Sequence, residues 1–138
     1  DIGVTGVQTC ALPICMFASA TVAFTGVLVY ATHHPRPENL LGPKPPPDKT
    51  LHFVAYATLA SLAAATWLTA RRTARWNILM LAAALAVFGA VDEATQPFFS
   101  RHAEPMDWLY DCIGIALGLA GVSAFFAVAR TRAAAGDQ

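Results

Sequence analysis

Nine polar residues lie near the ends of long apolar segments, and their types can transfer protons or bind charged groups. They are Lys49, His52, Tyr56, Asp92, Glu93, Gln96, Arg101, Asp107 and Asp111. Ionisable side chains are costly at membrane depth, so a group of them among apolar segments predicts a functional site. We expect these residues to gather at one end of a small helical bundle.

The nine residues suggest two kinds of chemistry. Glu93, Asp111 and His52 are the candidate acid and base groups, because a protonated carboxylic acid or a neutral imidazole can transfer a proton. Lys49 and Arg101 are candidate clamps for an anionic group such as a phosphate or a carboxylate. The remaining candidates for ligand binding are Tyr56, Asp92, Gln96 and Asp107.

The apolar segments are long enough to cross a membrane. The chain of 138 residues is 56% hydrophobic and 13% charged, which is too apolar for an ordinary soluble domain. A spanning helix needs about 20 mostly apolar residues. We therefore predict an all-α fold, an integral membrane bundle of about four transmembrane helices, with spans at 15–32, 51–70, 76–91 and 108–129.

Basic residues predict the orientation of the bundle. Arg71, Arg72 and Arg75 lie in one tight connection, and Arg130 and Arg132 follow the last span. Short loops rich in Lys and Arg remain in the cytoplasm, so both termini are predicted to be cytoplasmic. The nine candidate residues then lie toward the outer face of a multi-pass protein in contact with the lipid bilayer.

The start of the chain has an unusual composition. Residues 4–14 resemble the translation of a sequencing-adapter oligonucleotide over eleven consecutive positions. We therefore interpret 1–14 as an artefactual tract and set it apart from functional reasoning, as one does with a fusion scar. The domain prediction is a transmembrane domain at 15–130 and a short cytoplasmic tail at 131–138.

Helical periodicity predicts which helices meet. Asp111 is in line with a glycine stripe that includes Gly114, and small residues let another helix approach closely. Because Glu93 follows a similar small-residue face, we expect the third and fourth spans to meet through these two faces. Glu93 and Gln96 are expected to face the interior more squarely than Asp92.

Some residues also have simpler interpretations. Asp48 and Asp107 are each placed to cap the N-terminus of a helix. Lys49 can extend toward lipid headgroups. His33 and His34 are expected in an exposed loop with no special role.

Composition excludes several classes of function. Zero net charge provides no basic face for nucleic acid. Cys10, Cys15 and Cys112 have no metal-type spacing, so we expect neither a disulfide framework nor a zinc site. No cofactor or metal is predicted, because no spacing motif supports the one alternative, a hard-cation set. That alternative set is His52, Glu93, Asp107 and Asp111.

The ordered motif resembles that of the VanZ-like family of small bacterial membrane proteins. It reads Asp-Lys-x-x-His-Phe-x-x-Tyr, Asp-Glu-x-x-Gln, Arg, and Asp-x-x-x-Asp-x-x-Gly-x-x-x-Gly, over 48–118, about half of the chain. Carried over by position, the motif residues are Asp48, Lys49, His52, Tyr56, Asp92, Glu93, Gln96, Arg101, Asp107, Asp111 and Gly114. One departure is Asp111, where many members have Asn.

The resemblance implies a place in the bacterial cytoplasmic membrane and a role in the cell envelope. The founding member of the family is associated with low-level resistance to the glycopeptide antibiotic teicoplanin. Together with Lys49 and Arg101, this implies an anionic envelope molecule or lipid-linked ligand as partner, and leaves open whether the protein is an enzyme. The alternative is a non-catalytic scaffold whose polar cluster stabilises the bundle or docks a partner protein.

Overall fold

Four α-helices and one short 3-10 helix make up the described part of the chain. The computed structural model describes residues 5–36, 40, 42, 44, 46–70 and 75–136, with the backbone alone for 5–11, 75 and 76. The helices are α1 (Thr5–Thr32), α2 (Asp48–Ala70), α3 (Arg75–Thr95), the 3-10 helix (Gln96–Phe99) and α4 (Pro105–Gly136). Within those residues there is no strand, which confirms the all-α prediction.

Each of the four long helices forms all or most of a segment that can cross a membrane, and the third segment continues into the 3-10 helix. These segments are Leu12–Thr32, Asp48–Ala70, Asn77–Phe99 and Pro105–Gly136. Their length and apolar composition match what a bilayer requires, so the chain is a multi-pass membrane protein. At about 1.5 Å per residue, α4 is longer than the bilayer core is thick. It includes most of the tail predicted at 131–138.

The most closely packed pair is α2 and α4, because the glycine stripe of α4 lies directly against the backbone of α2. A Cβ added at Gly114 would lie 2.4 Å from the Phe53 carbonyl oxygen, and one at Gly118 would lie 2.4 Å from that of Ala57. Small residues at such crossings give close van der Waals packing between membrane helices. The predicted pairing of this stripe with the third span is therefore wrong. The stripe also ends before Gly121, where a Cβ would meet nothing within 4 Å.

The other two long helices flank this pair. α1 packs along α2, where the hydroxyls of Thr21 and Thr66 lie 3.0 Å apart. α3 packs chiefly on α4, and at Gly89 it approaches both Tyr56 and Asp111. Away from their polar ends the helices bury small and aliphatic side chains, among them Leu59, Ala60, Ala64, Ile115 and Leu119.

The helices alternate in direction, so one end of the bundle receives all of the polar segments. α1 and α3 finish at this end, where Thr32 contacts Asp92, and α2 and α4 begin there, where His52 contacts Asp111. We call it the polar end. The predicted gathering of polar residues at one end is confirmed. Arg71 and Arg72, on which the predicted orientation depends, and part of the tract at 1–14 lie outside the described residues.

Candidate functional site

Six polar side chains are buried at the polar end, and all six are among the nine candidates from the sequence. They are exposed by 6% or less. We call this set the buried polar cluster: His52, Asp92, Glu93, Gln96, Asp107 and Asp111. Tyr56 is fully buried beside them, whereas the side chains of Lys49 and Arg101 remain 41% and 13% exposed. Polar groups buried to this degree require partners, and those partners define the site.

The centre of the cluster is a pair formed by α2 and α4. His52 Nδ1 lies 3.0 Å from Asp111 Oδ1, and the two side chains are 4% and 1% exposed. When the Asp111 carboxylate is ionised, it accepts the Nδ1–H bond, so the other ring nitrogen, Nε2, is free to accept a proton or bind a ligand. Close packing at Gly114, one turn beyond Asp111, holds the two helices near enough for this contact.

Tyr56 extends the same face of α2 toward α3. Its ring and the Asp111 Oδ2 atom both lie against Gly89, where a Cβ would approach them to 3.2 and 3.4 Å. The Tyr56 hydroxyl, Asp92 Oδ2 and Asp111 Oδ2 are all buried, and none has a hydrogen-bond partner among the described residues. A hydroxyl between two carboxylates can pass a proton from one to the other, or can bind a ligand placed among them.

Asp92 turns toward α1 rather than toward lipid. Thr32 donates its hydroxyl hydrogen to Asp92 Oδ1 at 2.9 Å, and His33 Nδ1 lies 3.6 Å from the same oxygen. The expectation that Asp92 faces the interior less squarely than Glu93 is therefore wrong, since the two are exposed by 4% and 6%. Helical periodicity could not find this, because the partner that turns Asp92 inward belongs to a different helix.

His33 is the main functional candidate missed by the sequence interpretation. Its Nε2 lies 2.9 Å from the Thr95 hydroxyl, its ring meets Phe99 edge-on, and its side chain is 14% exposed. It was expected in an exposed loop with no role. The sequence feature that could have identified His33 is its position directly after the first predicted span, at the same end of the bundle as Asp92.

Glu93 organises the loop that follows α3. One of its oxygens accepts a hydrogen bond from the Gln96 side-chain amide at 3.0 Å, and the other accepts the Glu104 backbone N–H. Both oxygens are therefore engaged within the protein. This arrangement supports a role for Glu93 in positioning the loop, and its predicted acid–base role stays a prediction.

A residue with left-handed backbone conformation turns this loop back toward the bundle. Ser100 has φ 62° and ψ 31°, and its N–H bonds back to the 3-10 helix. Arg101 N–H then donates to the Gln96 carbonyl, and the Arg101 side chain reaches Asp48 Oδ2 at 3.6 Å. Lys49 similarly bonds Glu104 at 3.1 Å. Both predicted anion clamps are thus already paired with carboxylates.

The prediction that Asp48 and Asp107 cap their helices is wrong. The residues at the N-cap positions are Pro47, one position earlier, and Glu104, three positions earlier. The Pro47 carbonyl accepts the first hydrogen bonds of α2, and the Glu104 carbonyl accepts the Asp107 N–H at the start of α4. The two aspartates therefore lie inside the first turns. There their charge opposes the helix dipole favourably, and their carboxylates remain available to the site.

A cavity of about 150 Å³ opens beside His52, between the end of α1 and the start of α2. Its lining includes the aliphatic side chains of Leu28 and Leu51 and the polar side chains of Asp48, His52 and Arg101. The cavity thus combines apolar and charged surfaces, as recognition of an amphipathic molecule requires.

Three potential metal ligands also converge on this side. One carboxylate oxygen from each of Asp48 and Asp107 and one ring nitrogen of His52 lie within 4.8 Å of one another. The hard-cation set considered from the sequence contained Glu93 and Asp111 instead of Asp48. In the structure, Glu93 holds the loop and Asp111 holds the imidazole.

Comparison with known proteins adds no relative. The chain matches no protein-family model, no curated protein and no solved structure.

Proposed function

We propose that the protein is a VanZ-like membrane protein that binds or transforms an amphipathic cell-envelope molecule at the polar end of its bundle. The observation that carries this proposal is the buried His52–Asp111 pair beside a cavity that both aliphatic and charged side chains line. In water such a pair would be unremarkable. Within a membrane helix its desolvation is costly, so a pair retained at this depth indicates a role in binding or chemistry.

The chemistry is proton transfer at His52, positioned by Asp111. The Asp111 carboxylate fixes the imidazole tautomer, and Nε2 then acts as a general base or as a hydrogen-bond acceptor for the ligand. Arg101 and Lys49 exchange their carboxylate partners for an anionic group of the ligand, which is the clamping role that their types suggest. The polar end faces the outside of the bacterial cytoplasmic membrane.

The test is the charge-neutral substitution Asp111→Asn, scored for membrane-integrated protein and for susceptibility to teicoplanin. Asn keeps the size of the side chain and an acceptor oxygen, so we expect a normal level of folded protein. It loses the charge that stabilises an imidazolium. Because this chain departs from the Asn that many members have there, we propose that its own chemistry depends on that charge, and we expect any effect of the protein on susceptibility to be lost. Ser123→Ala, which removes a hydroxyl from the other half of α4, is the matched control and should change neither readout.

The second candidate is a non-catalytic scaffold, favoured by the fact that both Glu93 oxygens bond within the protein. Hydrogen bonds between membrane helices are worth about 0.6 kcal/mol on average, so several together can specify a bundle. Under this hypothesis Asp111→Asn changes neither the amount of membrane-integrated protein nor the teicoplanin susceptibility by much. Asp111→Leu, in contrast, lowers the amount of folded protein in the membrane. A normal phenotype in Asp111→Asn would favour the scaffold over chemistry at His52.

A further inference from the structure

Negative charge exceeds positive charge at the polar end. The described carboxylates there are Asp48, Asp92, Glu93, Glu104, Asp107 and Asp111. The described cations there are Arg36, Lys44, Lys49 and Arg101, so the carboxylates outnumber them, and Lys49 and Arg101 are already paired with carboxylates. Like charges close together are costly in a medium of low dielectric constant. The buried carboxylates therefore favour additional positive charge beside them.

Three side chains form a donor set on the cavity side of the cluster. Asp48, His52 and Asp107 each place one donor atom within 4.8 Å of the others. Donors bound to one ion at about 2.1 Å lie about 3 to 4 Å apart, so a pair of donors at the 4.8 Å limit must approach by about 1 to 2 Å. Asp48 can supply this movement, because its side chain is 54% exposed.

The other two members of the set are fixed and buried. Asp107 is 2% exposed, and its Oδ1 atom has no hydrogen-bond partner among the described residues. Lys49 Nζ lies 3.7 Å from this oxygen, beyond hydrogen-bond distance. A buried carboxylate oxygen without a hydrogen bond is costly, and a metal ion would satisfy it.

The environment of His52 resembles that of metal-bound histidines. Its Nδ1 is held by Asp111 at 3.0 Å. Histidines that bind metals usually donate one ring N–H to a carboxylate, which orients the other nitrogen toward the metal. Asp111 is thus placed as the orienting group, and its contact with His52 has an explanation that does not depend on catalysis.

We infer that Asp48, His52 and Asp107 form a binding site for a divalent transition-metal cation. One imidazole and two carboxylates suit Mn²⁺ or Zn²⁺. Three protein ligands leave further coordination positions, which can hold water or an anionic group of a ligand. A metal ion on His52 Nε2 would occupy the lone pair that proton transfer needs, so metal binding and general-base chemistry are alternatives at this atom. The inference concerns metal binding by the purified protein, and its test is separate from any role in teicoplanin susceptibility.

The test measures binding of Mn²⁺ to the full-length protein in detergent. Bound Mn²⁺ is quantified from the loss of the electron paramagnetic resonance signal of free Mn²⁺, and Zn²⁺ binding is measured in parallel by equilibrium dialysis. Asp107→Asn and His52→Gln are each expected to weaken binding by about tenfold or more. Glu104→Gln is the matched control, because it removes a nearby exposed carboxylate outside the donor set. Equal weakening by Glu104→Gln and Asp107→Asn would overturn the inference in favour of general attraction to negative charge.

Lys49→Gln provides a test of opposite sign. Removing a cation 3.7 Å from Asp107 should tighten Mn²⁺ binding, whereas a site built for anions would bind its ligand more weakly.

A second measurement, by spectroscopy, leaves Asp48, His52 and Asp107 unchanged, so it does not depend on whether variants at these three residues fold. A variant with His33, His34 and His102 replaced by Gln retains His52 as its one histidine, and pulsed electron paramagnetic resonance should detect imidazole nitrogen coupled to its Mn²⁺. Absence of that coupling, or absence of Mn²⁺ and Zn²⁺ binding, would overturn the proposal.

Discussion

At the scale of single residues, the centre of the molecule is a set of polar atoms whose partners are incomplete. His52 and Asp111 satisfy each other on one side, but the Tyr56 hydroxyl and the second oxygens of Asp92 and Asp111 have no hydrogen bond among the described residues. Structural polar networks are normally satisfied throughout, because a half-satisfied network is costly. The unpaired atoms therefore favour a ligand or proton path over a purely structural role.

Tyr56→Phe separates these two roles. The hydroxyl is fully buried and interacts with Asp92, but it has no hydrogen-bond partner within 3.5 Å among the described residues. Its removal should therefore change the free energy of unfolding by less than about 1 kcal/mol. If the hydroxyl contacts the ligand, the proposed effect of the protein on teicoplanin susceptibility should be lost at a normal protein level. The measurements are unfolding in detergent and antibiotic susceptibility.

The control for this experiment is Tyr110→Phe, which removes the hydroxyl of a partly exposed tyrosine on α4. It should leave both stability and susceptibility unchanged. A large loss of stability in Tyr56→Phe would mean that its hydroxyl is structural, and would contradict the expected result.

Residue types predicted the members of the cluster well, but not their partners. An ionisable residue within an apolar segment has few roles open to it, so Asp92, Glu93 and Asp111 could be identified without a structure. Their neighbours depend on how separate helices meet. The periodicity of α3 alone could not show that Thr32 draws Asp92 toward α1, or that Glu93 bonds the backbone of Glu104.

At the scale of the elements, the pair formed by α2 and α4 holds the candidate site in place. Gly114 lies one turn from Asp111, and Phe53 lies next to His52. The crossing point of the two helices is therefore also the point at which His52 and Asp111 meet. The glycine stripe predicted a close helix crossing, but it could not predict which helix would fill it, because several helices offer small residues.

Gly114→Ala should disrupt this crossing. The added methyl would lie 2.4 Å from the Phe53 carbonyl oxygen and 3.0 Å from the Ala57 nitrogen, so the helices must separate. Overpacking of this kind typically costs about 1 to 3 kcal/mol. We expect a corresponding loss in the free energy of unfolding in detergent, together with loss of the proposed effect on teicoplanin susceptibility.

Gly121→Ala is the matched control on the same helix. A Cβ at that position meets nothing within 4 Å, and Ala favours a helix over Gly by up to about 1 kcal/mol. This variant should be neutral or more stable than the parent. Equal destabilisation by both substitutions would show that close contact with α2 is not what Gly114 contributes.

At the scale of the whole molecule, the prediction concerns which side of the membrane the polar end faces. His102 lies exposed in the loop between α3 and α4, and Ala135 lies exposed near the far end of α4. With Cys10, Cys15 and Cys112 replaced by Ala, His102→Cys should react with a membrane-impermeant maleimide in intact cells. Ala135→Cys should react only after the membrane is permeabilised. The reverse labelling pattern would place the polar end in the cytoplasm.

The placement of polar groups at a single end has an energetic consequence. Toward the other end, the described helices carry hydroxyls such as those of Thr66 and Thr69, which bond to their own helix backbone, and small or aliphatic side chains. A protein couples to an ion gradient only if charge can move through the electric field across the membrane. Among the described residues the buried ionisable side chains all lie at the polar end, so we expect ligand or metal binding there to depend little on the membrane potential.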